Sequence, residues 1–494
     1  MNESILQRPY TSILNMIQKA AKHIPEKVCA FLLNICSFAI SCYFPVRYSI
    51  GHHRFFNNSQ RSLLYLIVMT VIMVCCAGKR KKKIYRINTR FMMYIILFAA
   101  AIINAWRLHP IGNGFVQFAF FLLILFPLLS FSLFESEYLD FIFYGLAISL
   151  CSISILFYIV SAVCHPYIKE WFPAGYTGLT INANYLGMIY LCSSASALFL
   201  LTAGKRIRLS ASAAGIGVCM IWFSESRAAI IAELLLLLGY IVGNSIHFGK
   251  EERRIRFKSI VMIMVLSFLI SMFGMLLLTK GLGYKGIGSV QEYTDSDFKM
   301  TMYEAEESEK QSERSGSPLK KGSENISFTA IYSAEVSVLN AGRYVGIRLP
   351  DYDTLNNLST KRLDLYRSVI RDINLTGHDV KQRGFYDIWG RKYSGAHNSP
   401  LDFTYRCGWP AGFLCLLIEI EALIFALRVL LSKKETRSSL YFSVYIIMVY
   451  IIESMIEIQT IPSKRDVTML FYFAVMPVII KYNDIVSTGE CTLH

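Results

Sequence analysis

The 494-residue sequence predicts an all-α polytopic membrane protein of about 12 transmembrane helices, with one large extracytoplasmic loop before the tenth. Three observations carry this. Apolar residues make up 54% of the chain and charged ones only 17%, where soluble domains carry about 25% charge. Uncharged runs such as residues 115–134 reach the roughly 20 residues that a helix needs to cross the hydrocarbon. Finally, Lys and Arg gather in alternate loops. The apolar content excludes a disordered chain. The 12 cysteines are sparse and mostly sit inside apolar runs, which excludes a disulfide-stapled fold. The net charge of +15 would suggest nucleic acid in a soluble protein, but its placement makes it a topology signal.

In chain order, residues 1–27 are polar and amphipathic, read as a cytoplasmic N-terminal segment without a cleavable signal peptide. The first nine spans are expected near 28–44, 63–77, 91–106, 115–134, 139–164, 185–203, 209–224, 228–248 and 259–279, forming a membrane domain over 28–279. The loop covers 280–408. Spans near 409–431, 439–456 and 467–482 form a second membrane domain, and 483–494 a cytoplasmic tail. The short loops of one parity hold 22 Lys/Arg and those of the other hold 8. Basic loops stay in the cytoplasm, so both termini are expected inside and 280–408 outside. The run Lys79, Arg80, Lys81, Lys82, Lys83 is the strongest anchor.

Within the loop, residues 289–325 are charged, aperiodic and expected to be mobile. Residues 326–349 alternate weakly. Residues 361–373 predict an amphipathic helix, with Leu363, Tyr366, Val369, Ile370 and Ile373 on one face, Thr360 as N-cap, and Lys361, Asp364 and Arg371 pointing elsewhere. It would lie on the membrane surface or cover a cavity at the outer leaflet. Three tripeptides, beginning at Asn325, Asn357 and Asn374, match the N-glycosylation pattern, which matters only in a eukaryotic secretory pathway.

There is no phosphate-cradling GxxxxGK(S/T), no GxGxxG that follows a strand, and no CxxC pair. His52 and His53 are adjacent, cannot share a helix face, and read as interfacial polar residues. Candidate chemistry sits at the outer face. Asn182 and Asn184 lie where the chain re-enters the membrane, where Asn182 suits a helix cap and Asn184 stays open. Arg227 lies in the tight turn from Ser224 to Ala229 and has two readings: snorkelling into headgroups, or aiming its fork at a phosphate. His397 and Asn398 stand at the border of loop and membrane, where an interfacial cap and a general base are both expected. After them, Gly408 to Gly412 reads as a membrane re-entry with Trp409 at the interface. Glu233, Glu419, Glu421, Arg428 and Glu453 fall inside spans, and Gly239 with Gly243 forms a small-residue packing face.

In their order along the chain, these features resemble the O-antigen ligase/polymerase family of bacterial membrane glycosyltransferases. The resemblance rests on Asn184-Tyr185-Leu186-Gly187 at the start of a span, the Ser226 to Ala229 turn one hairpin later, and the long loop. It continues with Arg362 opening a helix, the turn at Gly377-His378, and His397-Asn398 before the next span. It covers about residues 175–425; the acidic stretch 289–325 and the missing second glycine after Gly377 depart from the pattern. The resemblance implies an undecaprenyl-diphosphate-linked glycan donor, an acceptor hydroxyl on a glycan or lipid, and a bacterial cytoplasmic membrane. Other polysaccharide-assembly proteins would be partners; nucleic acid, metal and cofactor are not implied. It assigns the catalytic role to His397 and substrate binding to Arg227, Arg362, Asn398 and Asn184. The competing class is a transporter or flippase of a lipid-linked sugar or polysaccharide, which would call for inverted repeats; none is visible.

The sidedness has a direct test. With native cysteines removed, a cysteine placed near residue 310 is labelled by an impermeant thiol reagent in intact cells. Labelling only after lysis reverses the orientation.

Overall fold

The computed structural model describes residues 7–48, 58–80, 89–108, 114–134, 136–166, 175–180, 183–247, 250–284, 362–378, 384–387, 392–393, 395–432, 440–457 and 470–479. Expectations for His52, His53, Asn182, 285–361 (with 289–325, Thr360, Lys361, Asn325 and Asn357) and the tail fall outside them.

An amphipathic helix α1 (Gln7–Ala21) comes first. The bundle follows: α2 (Glu26–Tyr48), α3 (Asn58–Gly78), α4 (Thr89–Leu108), α5 (Gly114–Phe134), α6 (Leu139–Cys164), α7 (Ala183–Thr202), α8 (Ile207–Ser224), α9 (Arg227–His247) and α10 (Lys250–Leu276). A π-helical turn, Leu277–Gly281, extends α10. The loop contributes α11 (Arg362–Arg371), a hairpin of β1 (Phe385–Tyr386) and β2 (Lys392–Tyr393), and α12 (Ser399–Cys407). The chain then forms α13 (Trp409–Leu431), α14 (Leu440–Ser454) and α15 (Leu470–Ile479). Each of the twelve apolar segments read from the sequence carries a helix. The first three helices outrun their apolar cores, because polar residues at the ends of a span still continue the backbone hydrogen bonding.

Among the described residues, six helices are long and apolar enough to cross a membrane: Glu26–Tyr43, Leu139–Cys164, Ala183–Thr202, Ile207–Ser224, Arg227–Ile246 and Ile260–Gly281. Exposure agrees with a membrane-embedded helical protein. Large apolar side chains such as Leu234, Leu238, Met262 and Ile270 lie more than half exposed along α9 and α10. Water would penalise such a belt and lipid does not.

Helix α7 is central. Every residue from Leu186 to Leu201 is buried, and it packs against α6, α8, α9 and α14. Small residues at Ser193, Ser194, Ala195, Ser196 and Ala197 let its neighbours approach, as interfaces between spans require. At Gly187 an added Cβ would stand 2.7 Å from the Ala229 Cβ, so α9 is seated directly on α7. Gly239 and Gly243 do pack, against Met448 of α14 and Leu430 of α13.

The two ends of the bundle are distinct. One end gathers α1, Arg80 and Ser136: Gln18 Nε2 donates to the Arg80 carbonyl at 3.3 Å, and Arg80 bridges Ser136. These belong to the basic loop set. The other end gathers 165–180, the 224–227 turn, the loop elements and 455–457. There the turn after α11 lies on the α12–α13 junction. His378 N donates to the Tyr405 carbonyl at 2.8 Å, and Trp409 N to that of Asn374 at 3.0 Å. Gly377 (φ +79°) and Gly408 (φ +89°) permit this crossing. A Cβ on Gly377 would fall 2.3 Å from the Arg406 carbonyl oxygen, and one on Gly408 2.1 Å from that of Leu375. His378, next in the turn, is buried and is not among the residues with positive φ.

Gly377→Ala therefore destabilises the loop end by more than about 1 kcal/mol, because both φ and space exclude a side chain. Lowered melting temperature in detergent, with faster proteolysis confined to the loop, is the expected result.

Candidate functional site

Segment 455–457, just beyond α14, is where the chemistry-bearing side chains meet. The Glu457 carboxylate is their common partner. Its Oε1 accepts from Arg362 Nη2 at 2.8 Å and from Asn184 Nδ2 at 3.1 Å. Its Oε2 lies 3.1 Å from His397 Nδ1. The three side chains of the ionic group, Arg362, Glu457 and His397, are 18%, 15% and 26% exposed, so the group is partly shielded yet reachable. Around it, Arg362 Nη1 donates to the Ile456 carbonyl at 2.5 Å, Asn398 Nδ2 to that of Met455 at 3.1 Å, and Ser399 Oγ to that of Glu457 at 3.2 Å.

Each residue arrives by a separate route. Asn184 is the second residue of α7, Arg362 the first of α11. Asn398 caps α12, its Oδ1 accepting from Leu401 N at 3.0 Å. That capping bond leaves its Nδ2 for Met455. His397 precedes the cap with φ +49°, a left-handed conformation that non-glycine residues rarely hold. Its carbonyl accepts from Tyr366 OH at 2.9 Å. On its N-terminal side Ala396 N donates to Asp402 Oδ1 at 3.0 Å. Asp402 is fully buried and paired with Arg406 one turn on, and the Arg406 guanidinium sits 5.2 Å from the Phe385 ring centroid. Leu365, Val369, Phe385, Ala396 and Tyr405 form a small core beneath these elements.

This core corrects the expected face of α11. Val369 is buried as expected, but Leu365 and Asp364 are buried with it, whereas Ile370 is exposed. Packing against the hairpin and α12 turns the helix so that Arg362 and Tyr366, one turn apart, reach 455–457 and His397.

Among the five residues expected at the site, four touch 455–457: Asn184, Arg362, His397 and Asn398. Arg227 opens α9 at the same end and is exposed. Its flanking Ser226 and Ala229 press on Gly187, one turn along α7 from Asn184. Glu457 was not singled out by sequence reasoning, and Tyr366 was read only as part of the apolar face of the 361–373 helix. The available signal for Glu457 was a carboxylate just past a span on the loop's side of the membrane; Glu453 drew attention instead, being inside the apolar run. Glu453 and Glu419 are both buried, and Glu419 Oε2 accepts from Ser454 Oγ at 3.2 Å. Glu233 is buried in α9, deeper along the bundle.

Chemically, a carboxylate only accepts, so the proton between Glu457 and His397 sits on Nδ1, and in the neutral tautomer with that proton Nε2 carries the lone pair. Burial, with Glu457 nearby, pushes the Tyr366 phenol up to about 12, against the opposing Arg362 charge. It therefore remains a donor at physiological pH. Among the described residues no group of three His, Cys, Asp or Glu is placed to hold a metal. The arrangement suits proton transfer beside an anion.

Comparison with protein-family models, with curated proteins and with solved structures gives no match. The geometry stands by itself.

Asp402→Ala leaves Arg406 without its carboxylate and Ala396 N without its acceptor. The expected loss is about 3 kcal/mol, the low end for breaking a buried pair because Arg406 is partly exposed. A lowered melting temperature of the purified protein checks this.

Proposed function

We propose that the chain is a glycosyltransferase of the O-antigen ligase/polymerase kind, in a bacterial cytoplasmic membrane with about 12 crossings and both termini inside. It joins an undecaprenyl-diphosphate-linked glycan to an acceptor hydroxyl at the outer face. The observation that supports it best is the meeting of Asn184, Arg362 and His397 on one carboxylate at the loop end of the bundle. Residues from distant parts of the chain share a site when they share a substrate.

In this reading His397 Nε2 takes the proton of the acceptor hydroxyl as its oxygen attacks the anomeric carbon. The bond from that carbon to the diphosphate oxygen breaks, and undecaprenyl diphosphate leaves with the bonding electrons. Glu457 stabilises the imidazolium as it forms, because the pair is only partly solvated. Arg362 uses two of its five N–H donors on Ile456 and Glu457. The others, with Arg227, face the developing phosphate charge. Asn398 and Asn184 hold His397 and Glu457 in register. Polymerase and ligase share this chemistry and differ in the acceptor. Both need the glycan flipped outward beforehand and act with other assembly proteins.

The test is deletion in the host followed by complementation. Loss of chain length with single repeat units retained marks a polymerase; intact lipid-linked polymer without attachment marks a ligase. His397→Ala should lower transfer by about 100-fold or more, the usual scale for a general base. His397→Arg should fail equally, since Arg does not act as a base. Arg227→Ala and Arg227→Lys should both be impaired, the latter through loss of the planar fork. A deletion strain with unchanged surface glycan, or one that accumulates lipid-linked repeat units on the cytoplasmic side as a flippase defect would, contradicts the proposal.

A further inference from the structure

We propose that Tyr366 is the positioning residue of the site, holding His397 in its left-handed conformation so that the imidazole meets Glu457. The proposal rests on the transferase reading of His397 for its catalytic consequence, but its structural content is independent of it.

Three residues outside glycine have positive φ among the described residues: Arg206, Glu225 and His397. The first two flank α8, at its N-cap and C-cap, where a reversal between helices demands the conformation. His397 is different. It precedes an N-cap, at a bend between the hairpin and α12 and not at a reversal between two long helices. Such a backbone persists only where its surroundings over-determine it. The Tyr366 hydroxyl, 2.9 Å from the His397 carbonyl, is the side-chain contact made to that residue's own backbone. The same hydroxyl reaches the Met455 carbonyl at 3.4 Å, so it spans from the loop to the segment bearing Glu457.

Tyr366 is itself well anchored. It stands one turn after Arg362 on α11, and residues at this spacing share a face. Leu365 and Val369, on the adjoining side of the same face, fix the helix in the small core. Arg362 and Tyr366 therefore move as one unit. Arg362 takes one oxygen of Glu457, and Tyr366 sets the backbone that brings His397 to the other. Arg362 alone does not constrain the imidazole, and Glu457 alone does not constrain the backbone of His397. The hydroxyl is the link between the two.

Tyr366→Phe removes the hydroxyl and keeps the ring, so packing on α11 is retained. In nanodiscs, with the undecaprenyl-diphosphate-linked repeat unit isolated from the deletion strain as substrate, kcat should fall about tenfold, the scale of one lost hydrogen bond. KM for the lipid-linked donor and the melting temperature should be unchanged. Added to His397→Ala, the same substitution should have no further effect, because residues acting as a unit are not additive. Unchanged kcat, a change in KM alone, or an equal loss in both backgrounds overturns the proposal. A readout without substrate separates it from the transferase reading. Carbethoxylation of His397 by diethyl pyrocarbonate, followed by mass spectrometry, should quicken about fivefold in Tyr366→Phe as the strained backbone relaxes. An unchanged rate overturns the positioning role even if transfer is demonstrated. A quickened rate supports it even if the wild type transfers nothing, in which case the transferase reading alone fails.

Discussion

One carboxylate holds the loop end of this protein together. Glu457 takes a guanidinium, a carboxamide and an imidazole from three parts of the chain, the farthest of them 273 residues away. A carboxylate near a membrane is costly to leave uncompensated, and several hydrogen bonds to the ionised form are what make it tolerable. Glu457 has them on both oxygens. The surrounding carbonyls of Met455, Ile456 and Glu457 are also claimed, by Asn398, Arg362 and Ser399. The loop elements before α13 are thereby fastened to the end of α14 by polar contacts, where a membrane bundle lacks a hydrophobic drive for such docking.

The rest of the structure makes that fastening rigid. Helix α7 delivers Asn184 from the half-buried first turn of a column that is buried from Leu186 to Leu201. Small residues on α7 and at Gly187 allow the Ser226 to Ala229 turn to sit beside it. The loop brings its own core of five side chains, and its turn at Gly377 crosses the α12–α13 junction at a separation that only glycine permits. Asp402, buried with Arg406, then fixes the peptide before His397. Each layer restrains the next, from lipid-facing apolar belt to helix column to loop core to imidazole. Preorganisation of this sort is what proton transfer beside a fixed anion requires.

Much of this was legible in the sequence, for physical reasons that differ by feature. Spans were visible because hydrocarbon demands long apolar runs. The division of the loops into two sets was visible in the basic residues, and the two sets gather at opposite ends of the bundle where contacts are described. Asn184, Arg362, His397 and Asn398 were recognisable as a group through their order along the chain. Glu457 was not, because a single acid in a short loop has no local pattern; its meaning lies in partners 60 to 273 residues away. The face of α11 was misjudged for a related reason. Periodicity placed Val369 on the covered face, where it is, but drew in Ile370 and left out Leu365, because the packing of the hairpin and α12 decides how far the covered face extends. The left-handed backbone of His397 has no signature in the sequence.

The most direct measurement of the central claim is a cryo-EM map of the protein in nanodiscs with the undecaprenyl-diphosphate-linked repeat unit bound. The expected density places the diphosphate at the loop end, between Arg227 and Arg362, with the first sugar beside His397 and Glu457 still bonded to Nδ1. Density for the diphosphate at the opposite, Arg80-bearing end, or a bound state in which Glu457 contacts neither Arg362 nor His397, would contradict it.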